Sequence, residues 1–130
     1  MTQQTAFNRV WNWFVCNKRN PAVTQSGSCV LLNNKGDRCA IGCLIPASIQ
    51  IEKNNGSINE QANRFPWIKR IIIDGLGSHF LLCIRLAHDC SWAESQAEDS
   101  VMSFHELIRS KLEQVADEHG LKVPRVVCSK

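Results

Sequence analysis

The segment from His79 to Cys90 constrains the fold more than any other part of this 130-residue chain. Ser78 has the side chain of a helix cap, so a helix is predicted at about 78–90. Apolar residues lie nearly all round its axis: Phe80, Leu81, Leu82, Cys83, Ile84, Leu86 and Ala87. A helix that is apolar all round is normally buried by the rest of its domain. The sequence therefore places this helix in the middle of the protein.

Three further helices are predicted, at about 5–18, 67–74 and 101–119, although the β-branched run Ile71–Ile73 leaves a strand as the alternative in the second of them. Apolar residues spaced three and four apart define the first and the last of them. The last is the clearest element, because Ser103 and Glu106 have the spacing of a capping box.

Two apolar runs, at about 28–33 and 38–45, flank a turn that contains Gly36. Glycine suits the left-handed position of a short hairpin loop, so the two runs are predicted to pair as antiparallel strands. Both faces of this hairpin are apolar, and we expect both to be covered. The predicted fold class is therefore α+β, with one short β-hairpin packed against about four helices.

The length fits a single domain, 1–130, and a 44% hydrophobic composition is enough for a core of its own. The polar region 47–64 is predicted to be a mobile loop, and the end of the chain, 122–130, a tail that frays.

Charge and targeting signals exclude several classes of protein. The net charge is only +3, and basic residues cluster no more than two at a time, so nucleic-acid binding is not favoured. The start of the chain lacks a signal peptide, and its longest apolar stretch is too short for a membrane span. We therefore expect a cytoplasmic protein that is not bound to a membrane. The odd count of seven cysteines then predicts free thiols.

Cysteine and histidine residues supply weak candidates for chemistry. Cys29, Cys39 and Cys43 could bind zinc only if the predicted strand bends, and buried thiols are the simpler interpretation. Cys39, or Cys43 in its place, could be a nucleophile with His88 as its base. Neighbours on a helix point about 100° apart, so Asp89 is not expected to hold the ring of His88. No cofactor motif is present, and none is expected.

The glycines that precede the central helix suggest a site for a small anion. Gly75 and Gly77 come before Ser78 and His79, at a helix N-terminus that could bind a phosphate. Arg85 follows on the same helix as a further contact. The pattern lacks the third glycine and the lysine of established phosphate loops, so a plain turn is the alternative.

Tryptophans suggest a surface for a partner protein. Trp13, Trp67 and Trp92 do not all fit the apolar stripes of the predicted helices, and Lys69 and Arg70 follow Trp67 closely. Exposed tryptophan and arginine are typical of protein interfaces. Ordinary packing at the edge of the core is the alternative.

The order of these features resembles a group of small proteins of unassigned function that bacteriophages and prophages encode. The resemblance covers most of the chain and is carried by a hairpin phrase, a His-Asp pair at a helix end and a phrase in the last helix: Arg38–Pro46, His88-Asp89 and Val115–Leu121. Relatives usually continue after the proline with an acidic residue and a tyrosine. This chain instead has Ala47, Ser48 and Ile49, and no tyrosine at all.

The resemblance implies a phage origin and a location in the cytoplasm of an infected bacterium. Our first hypothesis is therefore a non-enzymatic binding protein that occludes a bacterial host or defence protein. A second hypothesis is a protein that sequesters a small anionic ligand or nucleotide, and a third is a thiol- or histidine-dependent hydrolase. The sequence also leaves undecided whether the protein forms a homodimer.

Overall fold

The computed structural model describes residues 1–124. Residues 125–130, which form most of the predicted tail, lie outside this described part. The elements in chain order are helix α1 (Gln3–Trp11), a π-helical turn (Asn12–Cys16), a 3₁₀ turn (Gly42–Leu44), helix α2 (Ile58–Arg64), a π-helical segment (Ile68–Asp74), helix α3 (Ser78–Ser95) and helix α4 (Phe104–His119).

The predicted β-hairpin, and with it the α+β fold class, is wrong. Residues 1–124 contain no sheet, and the only strand-like pairing among them is two isolated antiparallel bridges, Val23–Cys29 and Leu32–Arg38. The turn between the two apolar runs does form, with Gly36 in the left-handed region at a φ of 86°. The protein is a helical domain in which long loops contribute part of the core.

The second apolar run coils instead of extending, and this is the physical reason for the missing hairpin. The amide of Cys43 donates to the carbonyl of Cys39 at 2.9 Å, so backbone groups that a strand would offer to its neighbour are satisfied locally. Gly42 permits the close packing, since a Cβ atom on it would lie 2.1 Å from the carbonyl oxygen of Leu31. The phrase is buried without belonging to a sheet.

Helix α1 starts at Thr2, whose hydroxyl accepts a hydrogen bond from the amide of Thr5 at 3.1 Å. Beyond Trp11 the helix widens, and the amide of Asn17 donates to the carbonyl of Asn12, five residues back, at 2.8 Å. The widened turn keeps Phe14 fully buried.

Helices α3 and α4 form the main packed pair of the domain. Helix α3 runs to Ser95, beyond the predicted end at 90, and Gly77 rather than Ser78 occupies its N-cap position. Helix α4 begins at Phe104, and the predicted capping box of Ser103 and Glu106 is present. A left-handed Gly120 follows its last residue. The local end signals of α4 were thus read correctly.

The segment 47–64, which was predicted to be a loop, ends in the short helix α2. The hydroxyl of Ser57 caps this helix by accepting from the amide of Glu60 at 3.2 Å. In residues 1–124 no single helix is long and apolar enough to cross a membrane. Ile68–Asp74 and Ser78–Ser95 pass that test only as a pair, which is bent by 84°.

Candidate functional site

His88 is the centre of the most developed polar network in the interior. The residue is fully buried on α3, and its Nε2 accepts a hydrogen bond from the amide of Ala22 at 3.1 Å. The proton of the neutral ring therefore sits on Nδ1, which donates to a carboxylate oxygen of Asp89 at 2.7 Å. The expectation that Asp89 does not hold this ring is wrong, because Nδ1 is close enough to the backbone for the next side chain to reach it.

Cys29 completes this network from the loop side. Its sulfur lies within 4.8 Å of both a carboxylate oxygen of Asp89 and a ring nitrogen of His88, and burial together with the negative charge of Asp89 raises the pKa of the thiol to about 12. A catalytic arrangement would need a ring nitrogen of His88 free to take the proton of the thiol, but Nε2 accepts from Ala22 and Nδ1 is bonded to Asp89. The network ties the loop at 22–29 to α3 and leaves His88 no free lone pair for use as a base.

The environment of Cys39, the candidate nucleophile, also keeps its thiol unreactive. Its sulfur accepts a hydrogen bond from the amide of Gly42 at 3.3 Å, and burial raises the pKa of the thiol to about 11. Burial also raises the pKa of Cys43 well above its usual value, and its sulfur donates to the carbonyl of Ala40 at 3.2 Å. Both thiols stay protonated near neutral pH, which opposes nucleophilic catalysis.

The structure does not assemble the zinc candidates Cys29, Cys39 and Cys43 into one ligand set among residues 1–124. Cys29 does lie near His88 and Asp89, with the three ligand atoms within 4.8 Å of one another. A metal on Nδ1 of His88 would need a proton on Nε2, where the amide of Ala22 already points its hydrogen. We therefore interpret this cluster as a structural contact that holds the loop at 22–29 against α3.

Free thiols were expected throughout the chain. Five cysteines of the described part are free, namely Cys29, Cys39, Cys43, Cys83 and Cys90. Cys16 is disulfide-bonded, so the expectation was wrong for this residue.

The glycines before α3 form a bend between two helices. Gly77 has a φ of 88°, and Gly75 keeps a helical φ of −72°. Ser78, His79 and Arg85, the other candidate ligand contacts, are exposed on α3. The backbone at Gly75 and Gly77 forms a turn between two helices, which was the alternative to an anion site.

The predicted partner-binding residues lie in three parts of the fold: the π-helical turn after α1, the segment at 67–70 and helix α3. Trp13, Trp67 and Trp92 are each half-buried, and the guanidinium of Arg19 lies over the ring of Trp13 at 4.9 Å. Trp92 packs over the backbone of Gly27. Lys69 and Arg70 are exposed, and Lys69 forms an ion pair with Asp74 at 2.8 Å. The indoles are used for packing, and they leave no exposed aromatic patch.

Exposed apolar side chains occur instead on α3, which the sequence places in the middle of the domain, and at Val101 and Met102, which precede α4. Leu82 and Leu86, one helical turn apart, are 43% and 42% exposed. Cys90 and Arg85 are exposed on the same side of the helix. We call Leu82, Arg85, Leu86 and Cys90 the α3 face.

A cleft of about 270 Å³ between α3 and α4 adjoins the α3 face. Its walls are mostly apolar, and its rim carries the longer polar side chains of α4; the lining residues are Cys83, Leu86, Ala87, Cys90, Lys111, Gln114, Val115 and Glu118. Sequence reasoning missed this surface because the same apolar residues were assigned to complete burial. The signal that could have revealed it is Arg85, a charge inside the apolar run.

Comparison with protein-family models, with curated proteins and with solved structures found no match for this chain.

Proposed function

We propose that this protein is a non-enzymatic binding protein that uses the α3 face to bind another protein. The observation that carries the proposal is the exposure of Leu82 and Leu86 on a helix whose sequence is apolar nearly all round. Exposed apolar side chains grouped on one face beside a cleft are typical of interaction sites.

The state of the thiols supports binding rather than catalysis. Burial raises the pKa of Cys29, Cys39, Cys43 and Cys83, so none of these four is an activated nucleophile. The one fully buried histidine, His88, has both ring nitrogens in hydrogen bonds. Binding requires only surface area and complementary side chains, both of which the α3 face offers.

The chemistry of the face indicates what kind of partner fits it. Leu82 and Leu86 present two apolar side chains with the positively charged Arg85 between them in sequence, whereas Lys111 at the adjoining cleft is already paired with Glu94 at 2.9 Å. A partner segment with apolar residues at helical spacing and an acidic neighbour would complement this pattern. In keeping with the resemblance to phage proteins, the proposed partner is a bacterial host or defence protein that the binding occludes.

The experiment is a pull-down from bacterial lysate, with Leu82→Glu/Leu86→Glu as the variant. We expect the wild-type protein to retain a stoichiometric partner and the variant to lose it, because two buried carboxylates would each cost several kcal/mol at an apolar interface. Val101→Glu is the matched control, since Val101 is 96% exposed and lies outside the α3 face. Arg85→Glu should weaken binding to an acidic partner.

Two results would contradict the proposal. One is equal partner recovery by the wild-type protein and the double variant. The other is a wild-type homodimer in light scattering that the double variant dissociates, because a second copy of the chain would then be the occupant of the α3 face.

A further inference from the structure

A second cluster lies where the start of α3 meets the end of α4, and of its three residues only Cys83 also lines the cleft beside the α3 face. His79 and Cys83 are four residues apart on α3, so their side chains lie on one side of the helix. His119 is the last residue of α4. The imidazole rings of His79 and His119 are 5.3 Å apart between centroids, and the ligand atoms of all three residues lie within 4.8 Å of one another.

His119 is oriented in the way that metal-binding histidines usually are. Its Nδ1 donates to the carbonyl of Val115 at 3.0 Å, which fixes the proton on that nitrogen. Its Nε2 is buried, carries the free lone pair and has no hydrogen-bond partner. A second contact holds the ring in place, since it packs edge-on against Phe80 at 5.4 Å. A backbone carbonyl on one nitrogen and a free lone pair on the other are typical of a metal ligand.

The other two donors lie at the spacing that zinc requires. Nε2 of His79 is 3.6 Å from Sγ of Cys83. With Zn–N bonds of about 2.0–2.1 Å and a Zn–S bond of about 2.3 Å, a nitrogen and a sulfur in a tetrahedral site are about 3.6 Å apart. His79 is exposed, so its side chain can rotate to close the remaining distance to His119.

The charges around the site come from two helix ends and one carboxylate. The negative C-terminal end of α4 and the positive N-terminal end of α3 oppose each other there. Burial raises the pKa of the Cys83 thiol, and the negative charge of the Glu118 carboxylate adds to this effect. Two imidazoles and one thiolate are a donor set of intermediate softness, which suits zinc better than magnesium or calcium.

We infer that His79, Cys83 and His119 form a zinc-binding site that joins the first turns of α3 to the last turn of α4. The three residues supply three of the four donors that zinc normally takes, and a water molecule completes the tetrahedron. Binding removes the proton of the Cys83 thiol to solvent, and the metal is neither oxidised nor reduced.

The experiment uses Co²⁺ as a spectroscopic probe and Zn²⁺ as its competitor, added to the full chain after treatment with a chelator. We expect one equivalent of Co²⁺ to give the absorption of a tetrahedral site with a thiolate-to-metal charge-transfer band, and Zn²⁺ to abolish both. Cys83→Ser should lose the charge-transfer band. His79→Ala, a change at an exposed position, should weaken Zn²⁺ binding by more than about 100-fold, since loss of a supporting second-shell partner alone costs 10–100-fold.

Two control variants separate this site from other thiols. Cys90→Ser removes an exposed thiol of the same helix, and Cys29→Ser removes the thiol beside His88 and Asp89. Both variants should bind Zn²⁺ as the wild-type protein does. Wild-type affinity in His79→Ala, or loss of binding in Cys29→Ser with retention in Cys83→Ser, would overturn the inference.

Discussion

The His88 network offers a direct test of how the loop at 22–29 is held on α3. The substitution His88→Phe keeps an aromatic ring between Phe14 and Phe104, whose centroids each lie 5.6 Å from that of His88. It removes the acceptor for the amide of Ala22 and the donor to Asp89. The variant therefore isolates the hydrogen bonds from the packing of the ring.

The expected loss of stability follows from what is left unpaired. Ala22 is fully buried, so its amide cannot turn to water, and an unsatisfied buried donor costs about 1–3 kcal/mol. The Asp89 side chain is 30% exposed and regains water, so its lost hydrogen bond costs only about 1 kcal/mol more. We expect His88→Phe to lower the free energy of unfolding by about 2–4 kcal/mol.

Urea unfolding followed by circular dichroism measures this change, with an unchanged m-value as the check for two-state behaviour. Asp89→Asn is the matched control, because its amide oxygen can still accept from Nδ1 of His88; it should cost less than about 1 kcal/mol. A His88→Phe protein within about 0.5 kcal/mol of the wild type would refute the reasoning, since the buried amide would then carry no penalty.

Three further predictions concern local features. Gly42→Ala should cost at least about 3 kcal/mol in urea unfolding, because its Cβ would meet the carbonyl of Leu31. Gly36→Ala, where only the left-handed backbone opposes a side chain, should cost about 1–2 kcal/mol, and equal losses in the two variants would exclude the steric explanation. Ser103→Ala removes the capping box of α4 and should lower the free energy of unfolding by about 1 kcal/mol; no loss of α4 stability in hydrogen exchange would argue against it. Alkylation at neutral pH, read by peptide mass spectrometry, should modify exposed Cys90 at least about 10-fold faster than Cys39, whose pKa burial raises to about 11; similar rates would contradict the assigned environments.

The elements that the sequence predicted well are those with local signals. The ends of α4 follow from Ser103, Glu106 and Gly120, each of which acts within a turn of its own position. The turn at Gly36 is local in the same sense. Such features need no knowledge of distant contacts, so a single sequence is enough to place them.

The hairpin could not be distinguished from a coiled loop by the same means. Short apolar runs bury equally well as strands or as irregular turns, and periodicity alone does not separate the two. The deciding contact is the approach of Gly42 to Leu31, which depends on the tertiary fold. The sequence contained a warning in Gly42 itself, since glycine weakens a strand and often marks a close backbone contact.

The candidate sites depend on contacts between distant parts of the chain. His119 ends α4 and has no partner at a recognisable spacing in the sequence. Its neighbours come from α3, and no spacing rule connects it with them. The exposure of Leu82 and Leu86 depends on where α4 lies, which helical periodicity cannot give. Only the pair His79 and Cys83, four residues apart, was visible in the sequence.

The π-helical turn at Asn12–Cys16 marks a place where the helix could lose one residue. A π turn holds one residue more than the α turn that it replaces, as the hydrogen bond from Asn17 to Asn12 shows. A protein that lacks one residue in this stretch could continue α1 as a regular helix and still present an aromatic ring to α4.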